Sequence, residues 1–199
     1  ISANALVRVF NLRGREGLLR WILDLRVMPR TLVLEITEHE RVDSMDRLAE
    51  VVQEIRSAGV SLALDDFGDG HSSLRLWSQL KPEIVKIDKY FTRNISAHGD
   101  KLKTIQALQQ IATIFGSSLV AEGIETAEDL RVLRDLGIEY GQGYFLGHPD
   151  RTPLKYLGVD PQRVLGERQV VVFPELGRMS QGGHLRSLSL LRAPTVTPE

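Results

Sequence analysis

The chain contains no cysteine. Disulfides and thiolate chemistry are thereby excluded, and the absence fits a reducing, cytoplasmic setting. It also lacks an excess of either charge: 25 Lys and Arg stand against 26 Asp and Glu, for a formal net charge of −1. Such a balance gives no general affinity for a nucleic-acid polymer or a membrane surface. An anionic substrate would have to be held by metals or by a few local basic groups. No apolar run is long enough to span a bilayer, no signal peptide is recognisable, and no internal repeat or low-complexity block is present. The first residue is Ile1 rather than methionine. We therefore expect a longer polypeptide to contain this chain.

What is present is ordinary for a folded domain. The 199 residues are 42% hydrophobic and 26% charged, enough for one domain with a substantial core. Residues 1–6 read as a short buried strand with Asn4 near its end. Leu18, Leu19, Ile22 and Leu25 have helical spacing within 14–27, and Pro29 closes that segment. Residues 31–37 form a near-continuous apolar strand interrupted by Glu35. A helix follows, capped by Asp43 or Ser44, with Met45, Leu48, Val52 and Ile55 on one face and Gly59 at its end. Further strands are expected at 60–64, 83–88, 117–121 and 140–146. Further helices are expected just after Ser72, over 100–115, and from the capping box Thr126–Asp129 to Gly137. The charges between Asp129 and Asp135 read as a solvated helix face. Six of the eight prolines lie after Gly147. This shift divides the chain into a βα unit over 1–157 and a partly irregular extension over 158–199, with a candidate edge strand at 170–173 and weak order from Ser180 onward.

The most informative stretch runs from Leu62 to Leu74: Leu-Ala-Leu-Asp-Asp-Phe-Gly-Asp-Gly-His-Ser-Ser-Leu. It reads as a buried strand ending on two adjacent carboxylates, Asp65 and Asp66, followed by a loop rich in glycine and serine. Two neighbouring carboxylates at a strand end are costly unless positive charge sits between them. A hard divalent cation is the usual answer. The plainer reading is a strand that stops at a polar turn, with Asp66 capping the next helix.

Polar residues that interrupt apolar strands recur along the chain: Asn4, Glu35, Asp65, Asp66, Lys86, Glu122 and Gln142. Each falls at or near the C-terminal end of a strand. Alternating strands and helices indicate a parallel sheet. Both a (β/α) barrel and a doubly wound sheet carry their chemistry on that rim. The barrel fits better, because the candidates come from every strand rather than from one switch point. Such a rim could hold two divalent cations about 3.5–4 Å apart, a common arrangement for phosphodiester cleavage. Taken singly, each residue has a simpler use. Glu35 alone would be an ion-pair partner of Lys86, Asn4 a turn residue, Gln142 and Glu125 hydrogen-bonding residues at the rim, and His71 a loop residue.

Five motifs together make the pattern specific: Glu35-Ile-Thr-Glu38, Asp65-Asp66-Phe67-Gly68 with Ser72-Ser73-Leu74, Lys86-Ile87-Asp88, Ala121-Glu122-Gly123-Ile124-Glu125-Thr126, and Gln142-Gly143-Tyr144 with Pro149. In order and spacing they resemble the EAL-domain family of cyclic-di-GMP phosphodiesterases over roughly residues 1–150. The resemblance implies a modified TIM (β/α)8 barrel, here incomplete at its N-terminal end. It implies hydrolysis of cyclic di-GMP to linear pGpG with Mg²⁺ or Mn²⁺. By position, Asn4, Glu35 and Asp65 would bind one metal, and Asp65 would bridge to a second held by Asp66 and Glu122. Lys86 would touch the attacking water, and Gln142 would support the water or the metal-site geometry. Glu38 and Glu125 would brace these groups, Glu38 through the loop after Asp66 that in this family couples the site to a homodimer interface.

The chain departs from the family in two ways. The strand carrying the Glu-Ala-Leu motif, with one metal-binding Glu and a basic substrate contact, is missing. The loop has Asp69 and His71 where the family usually has Thr and Tyr. These departures support an alternative: a catalytically inactive module that binds cyclic di-GMP or a protein partner and regulates an attached domain. A weaker third reading keeps the barrel and metals but changes the phosphodiester.

Overall fold

The computed structural model describes residues 2–3, 6–24, 28–29, 32–37, 44–68, 73–150, 155–167 and 186–187. Asn4, Glu38, Asp69, His71 and the candidate strand at 170–173 lie outside them. Strands and helices alternate in chain order: β1 (Ser2–Ala3), α1 (Leu6–Asp24), β2 (Val33–Thr37), α2 (Met45–Ser57), β3 (Ser61–Phe67), α3 (Ser73–Leu80), β4 (Ile84–Ile87), α4 (Lys89–Thr92), a 3-10 turn (Ile95–Ala97), α5 (Gly99–Phe115), β5 (Ser118–Ala121), α6 (Ala127–Asp135), β6 (Tyr140–Gly141), α7 (Val159–Gly166) and β7 (Arg186–Ser187).

All strand pairs are parallel, and the sheet order is β1-β2-β3-β4-β5-β6-β7. A doubly wound sheet reverses its strand order at a switch point. This order never reverses, so each crossover steps the same way, as in a barrel. Among the described residues β1 and β7 do not pair, and the sheet is an incomplete barrel.

The period of two along each strand divides the side chains between two faces. Leu34, Ile36, Leu62, Leu64, Val85, Ile87, Leu119 and Ala121 are buried on the face that the helices cover. There they form two apolar clusters. One joins Val7, Phe10 and Leu18 of α1 to Leu48, Val51, Val52 and Ile55 of α2. The other joins Trp77, Ile105, Leu108, Leu130, Leu133 and Val164 from α3, α5, α6 and α7. The opposite face, toward the barrel interior, receives the alternate positions Glu35, Ala63, Asp65, Lys86 and Val120, tied together by the registers Glu35↔Ala63, Ala63↔Ile84 and Lys86↔Val120.

Several elements differ from the sequence expectation. The first helix begins at Leu6, because Val7 and Phe10 lie one turn apart and both bury. Gly14, at φ 63° and ψ −168°, breaks it into two segments. The last rim strand ends at Gly141 rather than at residue 146. Helix α7 stands where the composition indicates a partly irregular extension. The charges of α6 are not a solvated face: Asp129, Arg134 and Asp135 are buried. The reason is coverage from outside the helix. Asp129 accepts hydrogen bonds from the Asn94 and Ser96 amides and the Ser96 hydroxyl. Arg134 donates to the Val164 carbonyl of α7 and pairs with Asp135, and Arg131 pairs with Glu167 at 2.8 Å. Buried charges persist only when paired and hydrogen-bonded in this way. Among the described residues no helix is long and apolar enough to cross a membrane.

Candidate metal centre

Strand β3 continues through both aspartates to Phe67. Simple alternation would send Asp65 and Asp66 to opposite faces. A bulge prevents this. On β4, Val85 and Ile87 are two residues apart, whereas their β3 partners Leu64 and Phe67 are three apart. The extra residue is accommodated at Asp66, whose φ is 53°. Aspartate is one of the few side chains that tolerates this left-handed conformation. Phe67 then anchors the strand end, its ring 5.1 Å from that of the fully buried Trp77 in an edge-to-face contact. At Gly68 a Cβ would lie 2.3 Å from the Phe91 ring, so the chain leaves the bulge where only glycine fits.

The bulge turns Asp65 and Asp66 toward Glu122, which follows β5. Ligand oxygens of these three carboxylates lie within 4.8 Å of one another. Lys86, from the middle of β4, fills the space beside them. Its Nζ is 2.6 Å from Asp65 Oδ1, 2.8 Å from Glu122 Oε1 and 3.6 Å from Glu35 Oε1. Gln142, one residue past β6, donates its Nε2 to Glu122 Oε1. Five strands thus supply or abut these groups, β3 giving two of them. Five of the seven sequence candidates, namely Glu35, Asp65, Lys86, Glu122 and Gln142, are linked by direct contacts, and Asp66 joins them through the carboxylate cluster.

The electrostatics are unequal. Burial works against the Lys86 ammonium, but the Glu122 charge, hydrogen bonds to Asp65 and Glu122, and the Glu35 charge outweigh it, so its pKa is raised. Glu122 is also raised. Burial is the chief cause, opposed by the charge and hydrogen bond of Lys86 and reinforced by the charges of Asp65 and Asp66. The two directions agree physically: one cation faces several carboxylates, so it is over-neutralised while Glu122 is under-neutralised. A closely spaced, all-oxygen, under-neutralised cluster suits a hard divalent cation.

Backbone contacts fix Glu122. Its amide donates to the Ile87 carbonyl at 3.2 Å, and its carbonyl accepts from the hydroxyl of the fully buried Thr92. Gly143 lets β6 approach so closely that a Cβ there would lie 2.2 Å from the Ile124 backbone. Glu125 pairs with Arg93. Thr92 was missed from the sequence. Its only signal there is a hydroxyl just after the Lys86-Ile87-Asp88 motif.

Residues 9–149 match the family model of the EAL domain. The chain is 32% identical over 143 residues to the cyclic di-GMP phosphodiesterase PdeB of Shewanella oneidensis, covering 70% of this chain and 17% of that protein. Among solved structures it resembles the EAL domain of Mycobacterium smegmatis DcpA, with TM-score 0.64, 30% identity, and coverage of 75% of this chain and 66% of that one. It also resembles the manganese and cyclic di-GMP complex of Klebsiella pneumoniae BlrP1, with TM-score 0.58, 32% identity, and coverage of 68% and 33%. The chain spans less than a fifth of the length of the curated relative named above. With a family model matched across more than half its length, on a barrel-ordered parallel sheet with its carboxylates at the strand ends, this chain belongs to the EAL-domain family.

Proposed function

We propose that this chain is the catalytic part of a metal-dependent phosphodiesterase that hydrolyses cyclic di-GMP to linear pGpG. The observation that carries the reading is the Asp65–Asp66–Glu122 cluster, with its oxygens within 4.8 Å and Lys86 against it. The names of the relatives support the substrate. On this reading Asn4, Glu35 and Asp65 hold one Mg²⁺ or Mn²⁺, and Asp65, Asp66 and Glu122 hold a second. Bound there, the cations would polarise a phosphate oxygen and lower the pKa of a water.

The chain's own residues do the rest. Lys86 keeps a fixed positive charge beside the reacting phosphate, where negative charge develops. Gln142 donates to Glu122 through its amide nitrogen, which leaves its oxygen to orient the attacking water. Glu38 and Glu125 brace these groups, Glu125 through its pair with Arg93. The water oxygen bonds to phosphorus, one P–O3′ bond breaks, and the proton ends on the 3′ oxygen. In the same reading residues 1–157 form the barrel unit and 158–199 an extension, whose α7 packs on α6 and whose β7 pairs with β6. The protein is a cytoplasmic homodimer, and the rest of the full-length polypeptide carries regulatory or sensory domains.

The test is incubation of the full-length protein with cyclic di-GMP and Mg²⁺ or Mn²⁺, with product followed by chromatography and binding measured in the same samples. Formation of pGpG that stops with a chelator is the expected result. Tight binding without turnover would overturn the enzyme and favour a regulatory receptor.

A further inference from the structure

We propose that Thr92 is a positioning residue that aims the Glu122 carboxylate into the metal centre by holding the Glu122 backbone carbonyl. The inference rests on the metal-binding reading above. At the end of β5 the ladder to β6 skips this carbonyl. The Gln142 amide takes the Ala121 carbonyl at 2.8 Å, and the Gln142 carbonyl takes the Ile124 amide at 3.1 Å. Glu122 faces β4 instead: its amide donates to the Ile87 carbonyl, β4 ends at Ile87, and no strand amide meets the Glu122 carbonyl among the described residues. The Thr92 hydroxyl supplies one from α4, while also lying 3.3 Å from the Lys89 carbonyl of its own helix turn. Thr92 is fully buried, so water does not compete for the bond.

The consequence follows from the neighbouring residues. The Glu122 amide is fixed on Ile87, and Gly123 turns the chain away immediately at φ 66°, with Lys89 so close that a Cβ would lie 2.5 Å from its Cβ. With its amide and carbonyl both held, the peptide plane after Glu122 cannot swing, and the carboxylate stays directed at Lys86 and Asp65. Without the hydroxyl that plane is free to rotate, and the aim is lost while the strand remains.

The test compares Thr92→Val, which keeps the volume and loses the hydroxyl, with Thr92→Ser, which keeps it, in the intact protein. Mn²⁺ affinity is read by calorimetry without substrate, and metal-free melting is read in parallel. We expect Thr92→Val to weaken Mn²⁺ binding by roughly 10–100-fold, the usual effect of removing a support for a metal ligand, and Thr92→Ser to stay within about threefold of the parent. Ser117→Ala controls for plain destabilisation. It removes the hydroxyl bonded to Trp77 and Pro82 at the far end of the sheet, and should lower the melting temperature without changing Mn²⁺ affinity. Equal affinity in Thr92→Val and the parent overturns the inference. A parent that binds no Mn²⁺ overturns the metal-binding reading instead.

Discussion

Lys86 and Asp65 stand on neighbouring strands with Nζ 2.6 Å from Oδ1, and the same ammonium lies 2.8 Å from Glu122. Lys86 thus offsets the repulsion between these carboxylates. Its removal should have two separable effects. In Lys86→Ala the metal-free protein should lose about 3 kcal/mol of stability, because buried carboxylates are left unpaired. Mn²⁺ should restore much of that loss while turnover stays reduced by at least about 10²-fold. Melting curves with and without Mn²⁺, together with product formation, check this. Equal melting of both proteins without metal would show that Lys86 bears no such load.

Glu122 gives a pH dependence whose sign is fixed. Its folded pKa is raised above the ordinary carboxylate value, chiefly by burial. Between the two values the folded state binds more protons than the unfolded, so its contribution to stability falls as pH rises through that window. Above the window the full penalty remains. Glu122→Gln should therefore melt higher than the parent at neutral pH without metal, by on the order of 1 kcal/mol. The advantage should shrink as pH falls through that window and be gone below the ordinary Glu range, and the variant should lose stabilisation by Mn²⁺. A lower melting temperature for the variant at pH 7 would contradict this.

The bulge at Asp66 makes backbone and ligand roles separable. Glycine and asparagine accept φ 53°, so Asp66→Gly and Asp66→Asn should keep stability within about 1 kcal/mol of the parent. A β-branched residue does not accept it, and Asp66→Val should lose about 1–2 kcal/mol. On the proposed metal-binding reading all three should bind Mn²⁺ at least about 10-fold more weakly, since each removes one carboxylate of the cluster. Denaturant titration and calorimetry read the two effects. Undiminished Mn²⁺ affinity in Asp66→Asn would remove Asp66 from the ligand set.

Gly143 lies against the Ile124 backbone. Gly143→Ala should push Ile124 away, stretch its bonds to Gln142 and Phe145, and cost about 1–3 kcal/mol. Glu122 and Gln142 flank this contact, so Mn²⁺ affinity should fall as well. A neutral Gly143→Ala would mean that β6 yields without disturbing the centre.

The sequence by itself determined the repeating βα pattern, the rim position of Glu35, Asp65, Lys86, Glu122 and Gln142, and the motifs that mark the family. Local causes suffice for these. Apolar periods of two and 3.6 specify strands and helices, Ser44 and Thr126 cap helices by bonds to Arg47 and Asp129 three residues on, and a charged residue in an apolar strand stands out where it is. Only the tertiary structure decided the remainder. The bulge that brings Asp65 and Asp66 to one side depends on which residues of β4 face β3, a relation between segments about 20 residues apart. The burial of Asp129, Arg134 and Asp135 depends on the 3-10 turn and on α7, about 30 residues away on either side. Thr92 meets the Glu122 carbonyl only because α4 lies across from the end of β5, a relation between residues 30 apart in the chain. Periodicity records how a residue relates to its neighbours in the chain. Pairing register and coverage by distant elements are energies of contact between segments, which exist only after the sheet has formed.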